Sequence, residues 1–434
     1  MSSSRPLPSS RSTGKPSGTV PASALRQLGA SDLRGVARLA TQATTGVTRV
    51  AEGVHQSVLG TLGLPGGSQP GQTRGLTGLV YQSIRGVTRL VDAGLQAGLA
   101  RLEPFFAADP ADLAGAPVQW EREAVIAALN GVMGDRLQRD DNPLCTHMGW
   151  YHNGRPLDSQ AMAAAGGATG KLLVLVHGLC MNDLQWRHGD HDHGEFLAQK
   201  LGYSAVYLRY NTGQSIAANG AQLSALLASL VASWPVPVTE ISVLAHSMGG
   251  LVSRSACQHA ADASAHSPAA RSSWLPLLRH LVFLGTPHHG APLERAGHWV
   301  HVLLGRTPYS QPFARLAQLR SAGITDLRHG TVLAPSEDGS TRPHSGADAH
   351  LPLPAGVTCH TVAATLAARR SALADRLVGD GLVPLHSALG HHDDPARTLA
   401  FAKADQAIFY RLGHIGILGD SAVARQLADW LAPA

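Results

Sequence analysis

The segment EISVLAHSMGG, residues 240–250, limits the possible folds of this 434-residue chain more than any other part of its sequence. Its first six residues are a short apolar run, typical of a buried strand, and helical spacing begins directly after Ser247. A serine placed between a strand and a helix without a loop lies on a sharp turn, which needs small neighbours such as Ala245 and Gly249. The sequence therefore predicts a nucleophile elbow, the pattern G-x-S-x-G with alanine first, and Ser247 as the nucleophile.

Apolar runs of strand length lie on both sides of this elbow. Helical spacing separates several of them, as in residues 217–234, and an Asn153-Gly154 turn signal precedes the first run. Strands that alternate with helices favour a doubly wound, mostly parallel sheet, which is an α/β architecture. The predicted strands are Lys171–Val176, Ala205–Tyr210, Glu240–Ala245, His280–Leu284 and Val357–Val362.

Residues 1–103 differ in composition from the rest of the chain. They hold eleven Lys and Arg against four Asp and Glu, and they therefore carry the excess behind the net charge of +5. Residues 1–30 are rich in Ser, Pro and Arg, which predicts a disordered basic tail. Residues 31–103 show two amphipathic stretches around a Pro/Gly break, which predicts a helical hairpin extension. Residues 104–434 form the predicted α/β domain, in which 288–356 is a cap-like insertion.

The sequence does not identify what the basic extension, residues 31–103, binds. Docking on the catalytic core or on another copy of the chain is the favoured interpretation, because an interfacial helix usually carries more Trp, Phe or Leu. Peripheral contact of residues 31–103 with a membrane or granule is the alternative, and no nucleic-acid partner is expected. The oligomeric state stays open. The four cysteines have no close-spaced pair and no apolar segment follows the N-terminus, so we predict reduced thiols in a cytoplasmic protein.

A His-Gly pair at the end of the first predicted strand indicates the loop that stabilises negative charge at the nucleophile. The backbone amides of Leu179, two residues after His177, and of Met248, directly after Ser247, are the predicted oxyanion-hole donors. A plain glycine turn is the weaker alternative, since the elbow follows downstream.

The acid and the base of a serine triad follow the nucleophile in the order Ser, acid, His. Asp380 lies in a Gly-Asp-Gly loop after the fifth strand, and His414 lies just before the last helical segment. In these roles Asp380 orients the imidazole, and His414 takes the proton from Ser247 and delivers it to the leaving group. The competing residues are Asp375, Asp393 and Asp394 for the acid, and His386, His391 and His392 for the base.

Five motifs together resemble bacterial esterase/lipase-family α/β hydrolases, related to the glycosylphosphatidylinositol inositol-deacylase-like and triacylglycerol lipase group. They are VHGL, AHSMGG, FLGTPHHGA, GDGLVP and LGHIGIL, and the likeness covers roughly residues 120–434. The AHSMG form also resembles that of small Bacillus-type lipases. The resemblance implies the α/β-hydrolase fold, hydrolysis of carboxylic or lipid acyl esters without a cofactor, and Ser247, Asp380 and His414 as the triad.

We therefore expect a serine carboxylic-ester hydrolase that acts through an acyl-enzyme on lipid-like or other acyl esters. One alternative is an acyltransferase or an intracellular polyester depolymerase that uses the same triad. An alternative of another class is a membrane- or granule-associated binding protein recruited by the N-terminal helices.

Several residues near these motifs are predicted to shape the substrate pocket. The histidine-rich segment 188–193 carries the ligand types of a transition-metal site, but a loop at the pocket entrance is the favoured interpretation, and no metal is expected. The predicted pocket residues are His177, Gly178, Met181, His246 and His288.

Overall fold

The computed structural model describes residues 38, 120–266, 274–291, 321–333, 351–369 and 379–433. Apart from Arg38, these residues belong to one compact unit, Gly115–Ala434. The predicted tail, the helical hairpin, the boundary at residue 104 and most of the 288–356 insertion lie outside the described residues.

Ten strands occur in the described part of the chain, and eight of them form one sheet with the order β10-β9-β8-β7-β3-β6-β1-β2. The strands are β1 (Gly149–His152), β2 (Arg155–Pro156), β3 (Lys171–Val176), β4 (Arg187–His188), β5 (His191–Asp192), β6 (Ser204–Arg209), β7 (Glu240–His246), β8 (Leu278–Leu284), β9 (Thr358–Thr365) and β10 (Gln406–Tyr410).

Eight α-helices occur in the same described residues. They are α1 (Trp120–Arg139), α2 (Ser159–Ala164), α3 (His193–Leu201), α4 (Ile216–Ser233), α5 (Met248–His266), α6 (Ala322–His329), α7 (Leu385–Ala388) and α8 (Ser421–Leu431). Short 3₁₀ helices lie at Asp183–Trp186, Leu275–Leu277, Pro395–Arg397, Lys403–Asp405 and Gly416–Leu418.

The six strands from β10 to β6 in the sheet order are parallel, and β1 and β2 are antiparallel at one edge. All five predicted apolar runs are strands, and the predicted hairpin at Asn153-Gly154 joins β1 to β2 with both turn residues at positive φ. The sequence analysis did not predict β10. It is an edge strand whose apolar run AIFY has only four residues, and four of its five residues are partly buried while Tyr410 is exposed.

Side chains that alternate along the central strands enter two separate cores. On β3, Val174 packs on the face that α4 and α5 cover, and Leu175 packs on the face that α3 and α8 cover. A leucine buried as completely as Leu175 stabilises the fold by about 1.5–3 kcal/mol. A parallel sheet covered on both faces, with an antiparallel edge and a serine elbow after a central strand, is the α/β-hydrolase fold, so the predicted fold class is confirmed.

Helix α4 packs in the core, and helix α1 approaches the loop that follows β3. α4 is the one described helix that is long and apolar enough to cross a membrane. Its buried leucines, such as Leu223 and Leu227, lie in the core against the sheet, as expected of a core helix. α1 is interrupted by a non-helical residue, Met133. Gly131 lets α1 approach the loop after β3, since a Cβ there would lie 2.2 Å from the Cys180 sulfur.

Candidate active site

Ser247 lies on a strained turn between β7 and α5, with a φ of +55°. Its amide donates to the Leu284 carbonyl at the end of β8 at 2.8 Å, which fixes the turn to the neighbouring strand. Gly249 packs against the end of β3, where a Cβ would lie 2.4 Å from the Val176 oxygen and 2.6 Å from the His177 oxygen. The structure thus gives the predicted elbow, and it shows why the position two residues after the serine is glycine.

The loop after β3 passes directly over the nucleophile. A Cβ on Gly178 would lie 2.9 Å from the Cβ of Ser247, so only glycine fits between the two segments. The loop is held by the Met181 amide, which donates to the Gly178 carbonyl at 3.3 Å, and by the Cys180 amide, which donates to Thr212 Oγ1 at 3.1 Å. These two hydrogen bonds hold the loop where it faces Ser247.

The predicted oxyanion-hole donors lie on these two segments. Met248 is the first residue of α5, so its amide is one of the four that find no partner within the helix. Leu179 follows Gly178 in the loop and is buried. Their assignment as oxyanion donors stays a prediction, which the approach of Gly178 to Ser247 supports.

Asp380 and His414 form a buried pair in the loops that follow β9 and β10. His414 Nδ1 donates to Asp380 Oδ2 at 2.6 Å, and the His414 amide donates to the Asp380 carbonyl at 3.0 Å. The other carboxylate oxygen, Oδ1, accepts from the amides of Leu382 at 2.9 Å and Val383 at 2.8 Å. These three donors fix the carboxylate, and the bond to Nδ1 places the imidazole lone pair on Nε2.

Gly285, at the end of β8, lies beside both members of this pair. A Cβ built on it would be 3.2 Å from Asp380 Oδ2 and 3.2 Å from His414 Cε1, and the preceding Leu284 carbonyl accepts from Ser247. The serine, the acid and the histidine therefore meet at the carboxyl edge of the parallel strands, where α/β folds place ligands.

The three side chains are buried, with 1% to 3% of their surface exposed. Within the described residues the Ser247 hydroxyl makes no hydrogen bond, so its bond to His414 is not formed in this structure. Catalytic hydrogen bonds are often long without substrate and tighten in the complex. A cleft of about 170 Å³ beside Trp120, Asp183 and Glu195 lies next to the loop after β3, and Ser247 does not line it.

The other candidates for the triad acid lie on the surface or outside the described residues. Asp394 is exposed and its carboxylate accepts from the Ala396 amide at 3.0 Å, where it caps the helix Pro395–Arg397. Asp393 is exposed beside it, and Asp375 lies outside the described residues. The competing histidines His386, His391 and His392 lie in or directly after α7, before β10.

The predicted pocket residues separate into two groups. His177, Gly178, Met181 and His246 lie together around the elbow, since Met181 Sδ and His246 Nδ1 are 3.4 and 3.2 Å from the position of a Cβ on Gly178. The ring of His288 makes other contacts, since it packs edge-on against Phe283 and beside Phe401.

Burial keeps the imidazoles of His177 and His246 neutral. Desolvation lowers the pKa of His177 to about 3, and it lowers the pKa of His246 well below its usual 6.5, with the nearby His414 as a second cause. His177 also stacks on Tyr210, with ring centroids 4.4 Å apart, and the Tyr210 hydroxyl donates to the His177 carbonyl at 2.8 Å. His177 and His246 are thus polar but uncharged at neutral pH.

The histidine-rich segment 188–193 forms a small hairpin of β4 and β5 followed by the start of α3. Among the described residues, no three His, Cys, Asp or Glu side chains are grouped closely enough to hold a metal ion. Instead, His191 Nε2 lies 2.8 Å from His193 Nδ1, and His193 Nε2 donates to the Ile417 carbonyl at 2.9 Å. The segment therefore lies against the loop that carries His414.

His193 and its bond to Ile417 are the part of the site that the sequence analysis missed. The two residues are 224 positions apart, so no spacing rule joins them. The available signal was the histidine cluster itself, whose residue types are also those of a metal site.

Residues 168–310 match the model of a family described as "Putative serine esterase (DUF676)". The match covers about a third of the chain and includes the loop after β3, the elbow and the end of β8. With the fold, it confirms the resemblance to esterase/lipase-family α/β hydrolases and supports an ester hydrolase. The narrower relation to glycosylphosphatidylinositol inositol deacylases stays a prediction.

Solved structures with a similar fold include lipases and esterases. The mature lipase BlEst2 of Bacillus licheniformis is 19% identical, with 60% of this chain and 91% of that chain covered, at a TM-score of 0.39. The esterase Pf2001 of Pyrococcus furiosus is 12% identical, with 61% and 83% covered, at a TM-score of 0.34.

Carboxyl esterase 2 of Tuber melanosporum is 16% identical, with 60% of this chain and 75% of that chain covered, at a TM-score of 0.32. No relative was found among curated proteins. At these identities and TM-scores the fold assignment rests on the strand order and the elbow rather than on the likenesses.

Proposed function

We propose that the protein is a serine carboxylic-ester hydrolase that acts through an acyl-enzyme, with Ser247 as nucleophile, His414 as base and Asp380 as the residue that orients it. The observation that carries the proposal is the 2.6 Å bond between Asp380 and His414 at the sheet edge that also holds the Ser247 elbow. These three groups are the ones that acyl transfer to a serine requires.

The geometry supports the following chemistry. The oxygen of Ser247 attacks the ester carbonyl while its proton passes to His414 Nε2, and the carbonyl oxygen becomes an anion held by the amides of Leu179 and Met248. His414 then gives the proton to the alcohol as the carbon–oxygen bond breaks, which leaves an acyl-Ser247. A water molecule attacks this ester, His414 takes its proton, and that proton returns to Ser247 as the carboxylic acid leaves.

Replacement of the nucleophile tests the proposal. Ser247→Ala should lower kcat for short p-nitrophenyl esters by roughly 10⁵-fold or more, because no oxygen remains to form the acyl-enzyme. The same variant should lose covalent labelling by a fluorophosphonate, measured as the mass increase of the intact protein.

A serine on α5, the helix that follows Ser247, provides the matched control. Ser264, whose hydroxyl donates to the Ala260 carbonyl at 2.8 Å, is distant in sequence from the elbow, and Ser264→Ala should keep full activity and full labelling. Undiminished hydrolysis or labelling of Ser247→Ala, with an unchanged melting temperature, would place the nucleophile elsewhere and overturn the proposal.

The acceptor of the acyl group is a separate question, and it has a separate test. With an added short alcohol, a hydrolase releases mainly free acid, whereas an acyltransferase that uses the same triad forms mainly the new ester. Chromatography of the products distinguishes the two, and predominant ester formation would replace hydrolysis by transfer as the proposed reaction.

A further inference from the structure

Two buried histidines contact the short loop that carries His414. His246 Nε2 lies 3.2 Å from the carbonyl oxygen of His414 itself, and His193 Nε2 lies 2.9 Å from the carbonyl oxygen of Ile417. Both imidazoles are fully buried. They come from different elements, since His246 ends β7 and His193 begins α3.

The chemistry of these contacts fixes the tautomer of each ring. A carbonyl oxygen only accepts hydrogen bonds, so Nε2 of each histidine carries the hydrogen. Burial lowers the pKa of His193 to about 4 and that of His246 well below 6.5, so each ring is neutral and its Nδ1 is an acceptor at neutral pH. For His193 that acceptor meets its donor, because His191 Nε2 lies 2.8 Å away.

The loop between the two contacts has a third attachment. The His414 amide donates to the Asp380 carbonyl at 3.0 Å, and Ile417 lies one residue into the helix Gly416–Leu418. The backbone of residues 414–417 is therefore bound at its start by Asp380 and His246 and at its end by His193. The rings of His246 and His414 are 4.6 Å apart, so a shift of one displaces the other.

His246 also connects this loop to the other two parts of the site. It directly precedes Ser247 in the elbow, and its Nδ1 would lie 3.2 Å from a Cβ on Gly178. The elbow, the loop after β3 and the His414 loop thus meet around one neutral imidazole.

We propose that His246 and His193 are positioning residues, which hold the backbone of the His414 loop and so place the His414 imidazole between Asp380 and Ser247. The proposal rests on the proposed function for its effect on turnover. Displacement of a catalytic group by about 1 Å costs on the order of 10²-fold in rate, so loss of either donor should reduce kcat by about that amount.

Variants that keep or remove the donor test this role. In His246→Gln and His193→Gln the side-chain amide nitrogen reaches the position of Nε2, whereas in His246→Asn and His193→Asn it reaches only that of Nδ1. The Gln variants should keep kcat within a few-fold of the wild type. The Asn variants should lose about 10²-fold in kcat, with KM within about threefold.

A spectroscopic measurement separates positioning from simple packing. The proton between His414 Nδ1 and Asp380 should give a far-downfield ¹H NMR signal, since that hydrogen bond is short and buried. The Asn variants should shift or broaden this signal, and the Gln variants should restore it. His280→Gln, at the amino end of β8, is the matched control and should change neither kcat nor the signal.

Each outcome has a defined meaning. Equal losses in the Gln and Asn variants, or no loss in either, would overturn the positioning role while Ser247-dependent hydrolysis by the wild type stands. If the Asn variants unfold, His246→Gln alone remains decisive, because a kcat lowered by about 10²-fold in a folded Gln variant contradicts the proposal. If the wild type hydrolyses no ester, the proposed function fails, and the proton signal still tests the placement of His414.

Discussion

The Asp380 carboxylate shows how much of the site depends on hydrogen bonds to one side chain. Two backbone amides hold Oδ1, and His414 Nδ1 holds Oδ2, so the carboxylate has one orientation in the folded protein. Gly379 and Gly381 on either side have φ values of +50° and +97°. The Gly-Asp-Gly motif is therefore explained by backbone geometry, because residues with a Cβ rarely adopt these angles.

Replacement of the Asp380 carboxylate tests whether it orients His414. Asp380→Asn keeps the size of the side chain but removes the charge that selects the Nδ1–H tautomer, so kcat should fall by about 10⁴-fold. Circular dichroism and steady-state hydrolysis of a soluble ester measure folding and activity. Asp394→Asn, at an exposed helix cap, should leave the rate unchanged, and the reverse pattern would assign the acid to the other loop.

At the scale of elements, the elbow depends on the close approach of α5 to the ends of β3 and β8. Gly249 faces the Val176 and His177 carbonyls, and Gly250 faces Thr286, where a Cβ would lie 2.2 Å from the hydroxyl oxygen. Carbonyl oxygens of a central strand cannot move without breaking the sheet. The two glycines of AHSMGG thus set the distance between helix and sheet that places Ser247 above the strand ends.

Gly249→Ala should consequently shift α5 away from β3. We expect a loss of about 1–3 kcal/mol in the free energy of unfolding, as for other overpacked interiors, with reduced kcat because Ser247 moves with the helix. Urea unfolding and ester hydrolysis measure the two effects. Gly149→Ala is the control, since its Cβ would make only an ordinary 3.6 Å contact with Tyr151, and equal stability of the two variants would contradict this account of the elbow.

At the scale of the whole molecule, the described domain buries several neutral histidines. Desolvation is the main cause in each case, and it lowers the pKa of His177 to about 3, that of His193 to about 4, and those of His246 and His288 well below 6.5. In the unfolded chain these imidazoles titrate near 6.5. The folded protein therefore binds fewer protons than the unfolded chain between about pH 6.5 and pH 4, and acid favours unfolding.

The free energy of unfolding should fall steeply as the pH drops from about 6.5 to 4.5. Each buried histidine contributes up to about 1.4 kcal/mol per pH unit in this window, and its contribution is complete above the unfolded pKa. Denaturant unfolding across the pH range measures the slope.

His288→Phe isolates one of these groups. The ring of His288 already packs against Phe283 and Phe401, and within the described residues neither of its nitrogens has a hydrogen-bond partner. The variant should fold, and its pH slope should be smaller by up to about 1.4 kcal/mol per pH unit. Stability of the wild type that does not change between pH 6.5 and 4.5 would contradict the neutral burial of these histidines.

Most of the fold and the central chemistry could be predicted because their signals are local. The five apolar runs, the Asn153-Gly154 turn and the elbow each lie within about ten residues, and the buried parallel strands need continuous apolar side chains. The edge strand β10 escaped prediction because its apolar run, AIFY, is only four residues long.

The sequence by itself determined the α/β sheet and gave the prediction of Ser247 as nucleophile with Asp380 and His414 as its partners, since strand length, turn chemistry and small residues at the elbow are properties of short segments. Only the tertiary structure decided which residues surround Ser247. The contacts of His246 with His414, and of His193 with Ile417, join residues 168 and 224 positions apart. Such contacts depend on the order of strands in the sheet, which brings distant loops to one edge, and no local pattern records that order.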